Sequence, residues 1–389
     1  MLNHFFADTL QQAAARIAPS TQTAKFQLDK NEQSDDMDFE FKKRVVEQLL
    51  HTDWNRYPAA DHQAIEAKVA DYCGLAPENI VLSAGSASII TTLLDYFALN
   101  QKQIVIAQPA YSLFDYHCKT YNIPYHAWHL SDNLEYDCQT LPALEPGSVL
   151  IITSPNNPVG NTMDLAQLET LLTANPKTYV ILDGVYTEFC KVDATPLVRK
   201  HPNLIMLRSF SKAFPVAGLR LGYLCASPQT AAIVKKLVLP FSVNPLSLIF
   251  ASEMLSDRAF MANARQRVLD IVAERERMSH LIRLGFRPDV LHVFPSEGNF
   301  LLIRVADTAA FEKLMADLSD SGIKVLNTSG FPLLKNTFRV SIGRIYENET
   351  FFALLRASME QSARLACQPE SVSPMTISKL PEMARQRRA

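Results

Sequence analysis

The stretch Ser209-Phe210-Ser211-Lys212-Ala213-Phe214-Pro215 sets a lysine just after two serines in an otherwise apolar loop, with Arg220 eight residues further on. An isolated lysine is ordinarily a solvated surface charge. Desolvation and a neighbouring cation would depress the pKa of this one and make it a usable amine nucleophile. The chemistry implied is an imine to an aldehyde cofactor that bears a phosphate. Three other junctions suit the same chemistry. Ser83-Ala84-Gly85-Ser86-Ala87-Ser88 is a glycine turn leading into a helix, which aims backbone N–H groups at an anion. Ser154-Pro155-Asn156-Asn157-Pro158-Val159-Gly160 is a rigid loop holding an amide. Asp183-Gly184-Val185-Tyr186 puts an acid at the end of an apolar run and a phenol three residues later. A buried aspartate needs a cationic partner.

These junctions require a scaffold that gathers strand ends. Short β-branched runs at 80–83, 104–107, 125–128, 149–153, 178–183, 204–208 and 221–225 alternate with amphipathic stretches. Most are apolar throughout, the pattern of strands buried on both faces of a parallel sheet. Between them, Asp164 and Gln167 form a capping-box-like pair ahead of Leu165, Leu168, Leu171 and Leu172, and Ser227-Pro228 starts another helix. The expectation is a doubly wound α/β domain, in which ligands sit beyond the carboxyl ends of the strands. After Asn244-Pro245 the pattern turns helical to about 284. Strands at 299–305 and 338–342 then flank a helix near 308–321, which reads as a smaller α+β domain. The expected division is an amino-terminal segment (1–44) joining the small domain, a large domain (45–260), the small domain (261–365) and a polar, disordered tail (366–389).

Thirty-eight basic against 40 acidic residues among 389 leave a net charge of −2, so bulk charge recruits no nucleic acid. The six cysteines form no CxxC pair, which fits a reduced, cytoplasmic protein. The amino terminus lacks a basic region followed by an apolar run, and no stretch approaches the ~18 apolar residues of a membrane span. His126 and His129 stand three apart in an expected strand, on opposite faces, so no metal site is expected. The acidic run from Asp35 to Glu40 reads as a solvated loop and helix start, or alternatively as a counter-charge for a cationic substrate.

LDKNE (28–32), NRYP (55–58), SPNNPVG (154–160), DGVYTEF (183–189), SFSKAF…GLRLGY (209–223) and FRVSIG (338–343) together resemble the fold-type I pyridoxal-phosphate aminotransferases. Within them the chain is similar to the histidinol-phosphate aminotransferase group, over about residues 25–360. The resemblance implies that Lys212 is the Schiff-base lysine and proton shuttle, and that Asp183 pairs with the pyridine nitrogen of pyridoxal phosphate so that the ring accepts electrons. It implies that Asn157 and Tyr186 hydrogen-bond the ring oxygen and that Tyr111 stacks on the ring, a plain core tyrosine being the alternative. Ser86, Ala87, Ser209, Ser211 and Arg220 would hold the phosphate, joined by Tyr57 from a second subunit of a homodimer with shared sites. Arg339 would receive the substrate's anionic group.

Three positions depart from the family pattern. Its acidic pair after the phosphate-turn glycine is Ala87-Ser88 here, and Asp-Glu-Ala-Tyr is Asp183-Gly184-Val185-Tyr186. Asn-Glu-Asn-Pro becomes Asn31-Glu32-Gln33-Ser34, a segment that borders the substrate in relatives and makes Asn31 a substrate-binding candidate. The expected reaction passes an amino group from an amino acid to a 2-oxo acid such as 2-oxoglutarate. Decarboxylation on the same constellation is the alternative within the fold, and a ligand-sensing regulator the alternative outside it. In the histidinol-phosphate enzymes a second arginine lies thirteen residues before the one matching Arg339. Here that position is Leu326, so a free α-amino acid is expected to be preferred over the phosphate ester.

Overall fold

The computed structural model describes residues 24–59 and 61–366; the first 23 residues and all but the first residue of the expected 366–389 tail lie outside the described residues. In chain order the elements begin with β1 (Phe26–Gln27), α1 (Phe39–Leu50), α2 (Gln63–Cys73), β2 (Ile80–Ser83), α3 (Ser86–Leu99), β3 (Ile104–Gln108), α4 (Ser112–Thr120) and β4 (His126–His129). The chain continues through β5 (Val149–Thr153), α5 (Leu165–Ala174), β6 (Tyr179–Asp183), β7 (Leu204–Ser209), β8 (Gly222–Ala226), α6 (Pro228–Lys235), α7 (Pro245–Ser256) and α8 (Arg258–Gly285). It ends with β9 (Leu291–Val293), β10 (Phe300–Val305), α9 (Thr308–Asp320), β11 (Ile323–Lys324), β12 (Leu326–Asn327), β13 (Thr337–Ser341) and α10 (Ile345–Ala366).

Seven strands form the main sheet in the order β2-β8-β7-β6-β5-β3-β4. Neighbours from β7 to β4 run parallel, whereas β8 is antiparallel to both β7 and β2. The apolar runs are explained by burial on two faces. Val149 and Ile151 of β5 belong to one hydrophobic cluster with α3 and α4, while Leu150 and Ile152 belong to the other, which reaches α2, α7 and α8. Helix starts follow their side-chain caps: Asp164 accepts from the N–H groups of Ala166 and Gln167, Ser227 from Thr230, and Asn244 from Ser247.

A second sheet, β12-β13-β10-β9, is antiparallel and covers its own cluster with α9 and α10. Directly paired residues across it are Leu302, Arg339 and Leu326, one from each of β10, β13 and β12, so the three side chains share one face. The amino-terminal segment is stitched to this half by β1, which pairs in parallel with β11. The 29–33 segment that follows β1 is thereby carried toward the strand ends of the main sheet.

Candidate active site

The carboxyl ends of β3, β5, β6 and β7 converge, and each delivers a residue singled out above. Lys212, in the turn after β7, is half-buried and its Nζ donates to Lys30 O at 2.8 Å. Gln33 Nε2 in turn donates to Lys212 O at 2.8 Å, so the 29–33 segment lies across the lysine. Burial and the positive charge of Arg339 pull the Lys212 ammonium down to about 8, with Glu32 and Asp183 pulling the other way. An amine in that range is partly neutral near physiological pH, as a nucleophile must be.

Asp183 closes β6 at 2% exposure. Its carboxylate receives one long bond, 3.4 Å from Val185 N–H, and burial pushes its pKa up to about 7 against that bond and the Lys212 charge. An acid held this way lacks the cation that would let it ionise. Tyr186 is fully buried; its ring meets Phe300 edge-on at 5.3 Å and its hydroxyl accepts from Asn31 Nδ2 at 2.9 Å. Burial raises the phenol to about 12 despite the nearby guanidinium of Arg339.

Arg339 is buried on β13. One guanidinium nitrogen donates to Asn157 Oδ1 and another to Asp29 O, while Nε is buried without a hydrogen-bond partner. The guanidinium carbon sits 5.3 Å from the Phe300 ring centroid. Among the described residues no carboxylate pairs with it, so a buried cation stands ready for an anion. Asn157 is thus joined to Arg339 as well as to the β5 loop. Tyr111 caps the start of α4, its ring against Phe114.

The phosphate turn is built by close approach of two chains. Gly85, at φ 82°, precedes α3, and a Cβ at Gly222 would stand 2.5 Å from the Ser86 nitrogen, so β8 reaches the helix start only as glycine. Arg220 adopts φ 53° and lays its guanidinium beside Gly85, where an added Cβ would lie 2.8 Å from Nη2. Ser209 pairs with Gly222, which pairs with Ser83, and Ser209 Oγ accepts from Ser211 N–H at 3.1 Å. The N-terminus of a 14-residue helix, two serines and an arginine are thus brought together, a donor set suited to an anion.

Two further expected site residues differ in their placement. Tyr57 is 82% exposed and stacks on Phe241 at 4.9 Å. Asn31 is wholly buried, at φ 55°, with its amide shared between Tyr186 and Ser341 and its carbonyl accepting from Asn299 Nδ2 at 3.1 Å. Its contact with anything bound therefore runs through the Tyr186 hydroxyl. Gln33, Asp29, Asn299 and Phe300 also join the site; only their position after folding reveals them.

The chemistry of this donor set matches one group. A depressed lysine answers an aldehyde, an underpartnered buried acid answers a pyridinium, and the helix start answers a phosphate. Fold and site together define a fold-type I pyridoxal-phosphate enzyme. Residues 23–352 match the model of the aminotransferase class I and II family, so the chain belongs to that family and is a pyridoxal-phosphate-dependent aminotransferase. It is 32% identical over 337 residues to a histidinol-phosphate aminotransferase of Pyrococcus furiosus, covering 86% of this chain and 92% of that protein. In fold it is similar to the histidinol-phosphate aminotransferase of Sinorhizobium meliloti solved with pyridoxal-5'-phosphate, with a TM-score of 0.77, 21% identity and coverage of 92% and 98%. It is also similar to the L-threonine-O-3-phosphate decarboxylase of Porphyromonas gingivalis, with a TM-score of 0.71, 21% identity and coverage of 87% and 99%.

Proposed function

We propose that this enzyme moves the amino group of a free α-amino acid to a 2-oxo acid such as 2-oxoglutarate, and that histidinol phosphate is at best a secondary donor. The observation that carries the choice of donor is the pairing of Leu326 with Arg339. The side chain next to Arg339 on the same sheet face is apolar, so the anion subsite holds one guanidinium. One guanidinium suits a single carboxylate; a phosphate dianion gains from two. An alternative cation, Lys324, lies 3.4 Å from Asp29, whose carbonyl accepts from Arg339. A donor with a second anionic group would have to draw Lys324 away from that carboxylate.

In this reading Lys212 holds the cofactor aldehyde and carries the proton to and from the substrate Cα. Asp183 keeps the pyridine nitrogen protonated, and Asn157 and Tyr186 hold the ring oxygen. Tyr111 covers the ring face, while Ser86, Ala87, Ser209, Ser211 and Arg220 bind the phosphate. The bound cofactor supplies an electron sink for the carbon that loses its proton. Arg339 orients the carboxylate in the plane of its guanidinium, and Asn31 keeps the Tyr186 hydroxyl in place. Tyr57 completes the phosphate site of a second subunit, which makes the enzyme a homodimer; the exposure of its ring supports this. The units are a large cofactor-binding one over 45–260 and a smaller one over 261–365, which the amino-terminal segment ending at residue 44 joins through β1. No helix among the described residues is long and apolar enough to cross a membrane, and the free cysteines suit the cytoplasm.

The test is kcat/KM for histidinol phosphate beside a panel of amino acids, with 2-oxoglutarate as acceptor. At least one amino acid is expected to exceed the ester by tenfold or more, the loss a missing charge-assisted bond of about 1.5–3 kcal/mol implies. A clear preference for the ester would overturn the choice of donor.

A further inference from the structure

Beneath the site lies a buried charge pair that the reaction as described does not use. Arg208 interrupts an otherwise apolar strand, Leu204-Ile205-Met206-Leu207-Arg208-Ser209, and is 4% exposed. Its neighbours Leu207 and Ser209 project to the opposite face, so Arg208 points toward Tyr223 and α2. Arg208 Nη2 donates to Glu188 Oε1 at 2.6 Å and Nη1 to Thr195 Oγ1 at 2.8 Å, and the Tyr72 hydroxyl donates to the same Glu188 oxygen at 3.2 Å. Glu188 stands two residues after Tyr186 and five after Asp183. Arg208 stands one residue before Ser209 and four before Lys212. The pair is the side-chain link between the turn that holds the acid and phenol and the strand end that holds the phosphate serines and the lysine.

Its composition argues for orientation more than for stability. Glu188 Oε2 and Arg208 Nε are both buried without hydrogen-bond partners. A buried ion pair left partly unsatisfied is commonly no better for stability than well-packed apolar residues of similar volume. A charged hydrogen bond, unlike an apolar contact, fixes direction and separation. The link also bridges two segments that the backbone joins through the β6–β7 ladder and through Gly184 N–H donating to Leu207 O at 3.0 Å. Tyr72 adds a second hold, packing its ring 6.0 Å from Phe210 and 6.3 Å from Phe214, on either side of Lys212.

We propose that Glu188 and Arg208 are positioning residues for the amino-transfer reaction: their hydrogen-bonded pair sets the placement of Asp183 and Tyr186 relative to Lys212. This rests on the site assignment above. A shift of about 1 Å between reacting groups costs up to a hundredfold in rate, so loosening the link should lower kcat about tenfold to a hundredfold with little change in KM.

The experiment compares holoenzyme carrying Tyr72→Phe, Glu188→Leu and Arg208→Met together, which strands no polar atom of the trio, with the conservative single variant Glu188→Gln. Melting temperature, kcat, KM and the pH midpoint of the cofactor's visible absorbance are measured for each. The triple variant is expected to bind cofactor and melt near the wild type, yet to lose kcat and move the absorbance midpoint. Glu188→Gln, which keeps one acceptor, is expected to move both in the same direction by less. Wild-type kcat and an unmoved midpoint in either variant, whatever happens to the melting temperature, would overturn the proposal. If the triple variant fails to fold, Glu188→Gln alone decides. If the wild type itself transfers no amino group, the function reading has failed, and the absorbance midpoint still decides the positioning role.

Discussion

Replacing Asp183 by asparagine should make the cofactor-free protein more stable at neutral and alkaline pH while destroying activity. Burial holds the Asp183 carboxyl at about 7, against an ordinary 3.8. Between those values the folded chain keeps a proton that the unfolded chain has released, so stability falls as pH rises through the window, and the full penalty stands above pH 7. At about 1.36 kcal/mol per pH unit the penalty reaches about 4 kcal/mol, and about 2 to 3 kcal/mol of it develops between pH 5 and pH 8. Asparagine cannot titrate, so the stability gap between variant and wild type should widen by that amount over the same range. With about 2.1 cal/mol/K of unfolding entropy per residue, a chain of 389 residues moves about 1.2 °C per kcal/mol, which makes the widening about 3 °C. The assay is calorimetric melting of both proteins without cofactor at steps from pH 5 to pH 8. Lys212 disturbs the comparison little in this window, because burial and Arg339, which depress it to about 8, act in both proteins, and Asp183 is the smallest of the influences on it. Pyridoxal phosphate should then raise the wild-type melting temperature at pH 8 more than that of the variant, since only the wild type gains a partner for its buried carboxylate. Parallel melting curves across pH would refute the argument that an unpaired acid waits in this pocket for a cation.

Leu326→Arg should place a second guanidinium in the row with Arg339 and raise kcat/KM for histidinol phosphate about tenfold to a hundredfold; no gain for the ester would mean the row does not face the substrate. Gly222→Ala should weaken cofactor binding about tenfold to a hundredfold, because the new Cβ would stand 2.5 Å from the Ser86 nitrogen and force the strand off the helix start; a wild-type cofactor Kd would contradict the account of the phosphate turn. Mixing Tyr57→Phe protein with Lys212→Ala protein should restore activity above the Tyr57→Phe baseline after subunit exchange, since one site of the heterodimer is then intact. Absence of any gain would count against shared sites.

Much of the scaffold was legible because strands buried on two faces cannot hide their composition. Runs such as Val149-Leu150-Ile151-Ile152 fall within a residue of their final bounds. The strand expected at 125–128 begins at His126, and the one expected at 221–225 begins at Gly222. The placement of Lys212, Asp183, Asn157 and the Gly85 turn at strand ends was legible for a related reason: each interrupts a local pattern there. What stayed hidden depends on contacts far apart in the chain. The laying of Lys30 and Gln33 across Lys212 spans about 180 residues, and the left-handed Asn31 that aims its amide at Tyr186 is set by Ser341 and Asn299. Arg208 did carry a signal, a lone charge inside an apolar strand, but its partner Glu188 is identified only when the turn after β6 folds back over β7.

Amino-group transfer at a site built round Lys212 is separated from other chemistry by a single turnover. Holoenzyme is mixed with one amino acid at a time in the absence of any 2-oxo acid, and the cofactor absorbance, the 2-oxo acid product and carbon dioxide are followed together. At least one amino acid is expected to remove the aldehyde-form absorbance with one equivalent of 2-oxo acid per site and little carbon dioxide, and to cause no such change in Lys212→Ala. Carbon dioxide released in step with amino acid consumed, or an unchanged turnover in Lys212→Ala, would contradict amino-group transfer at this site.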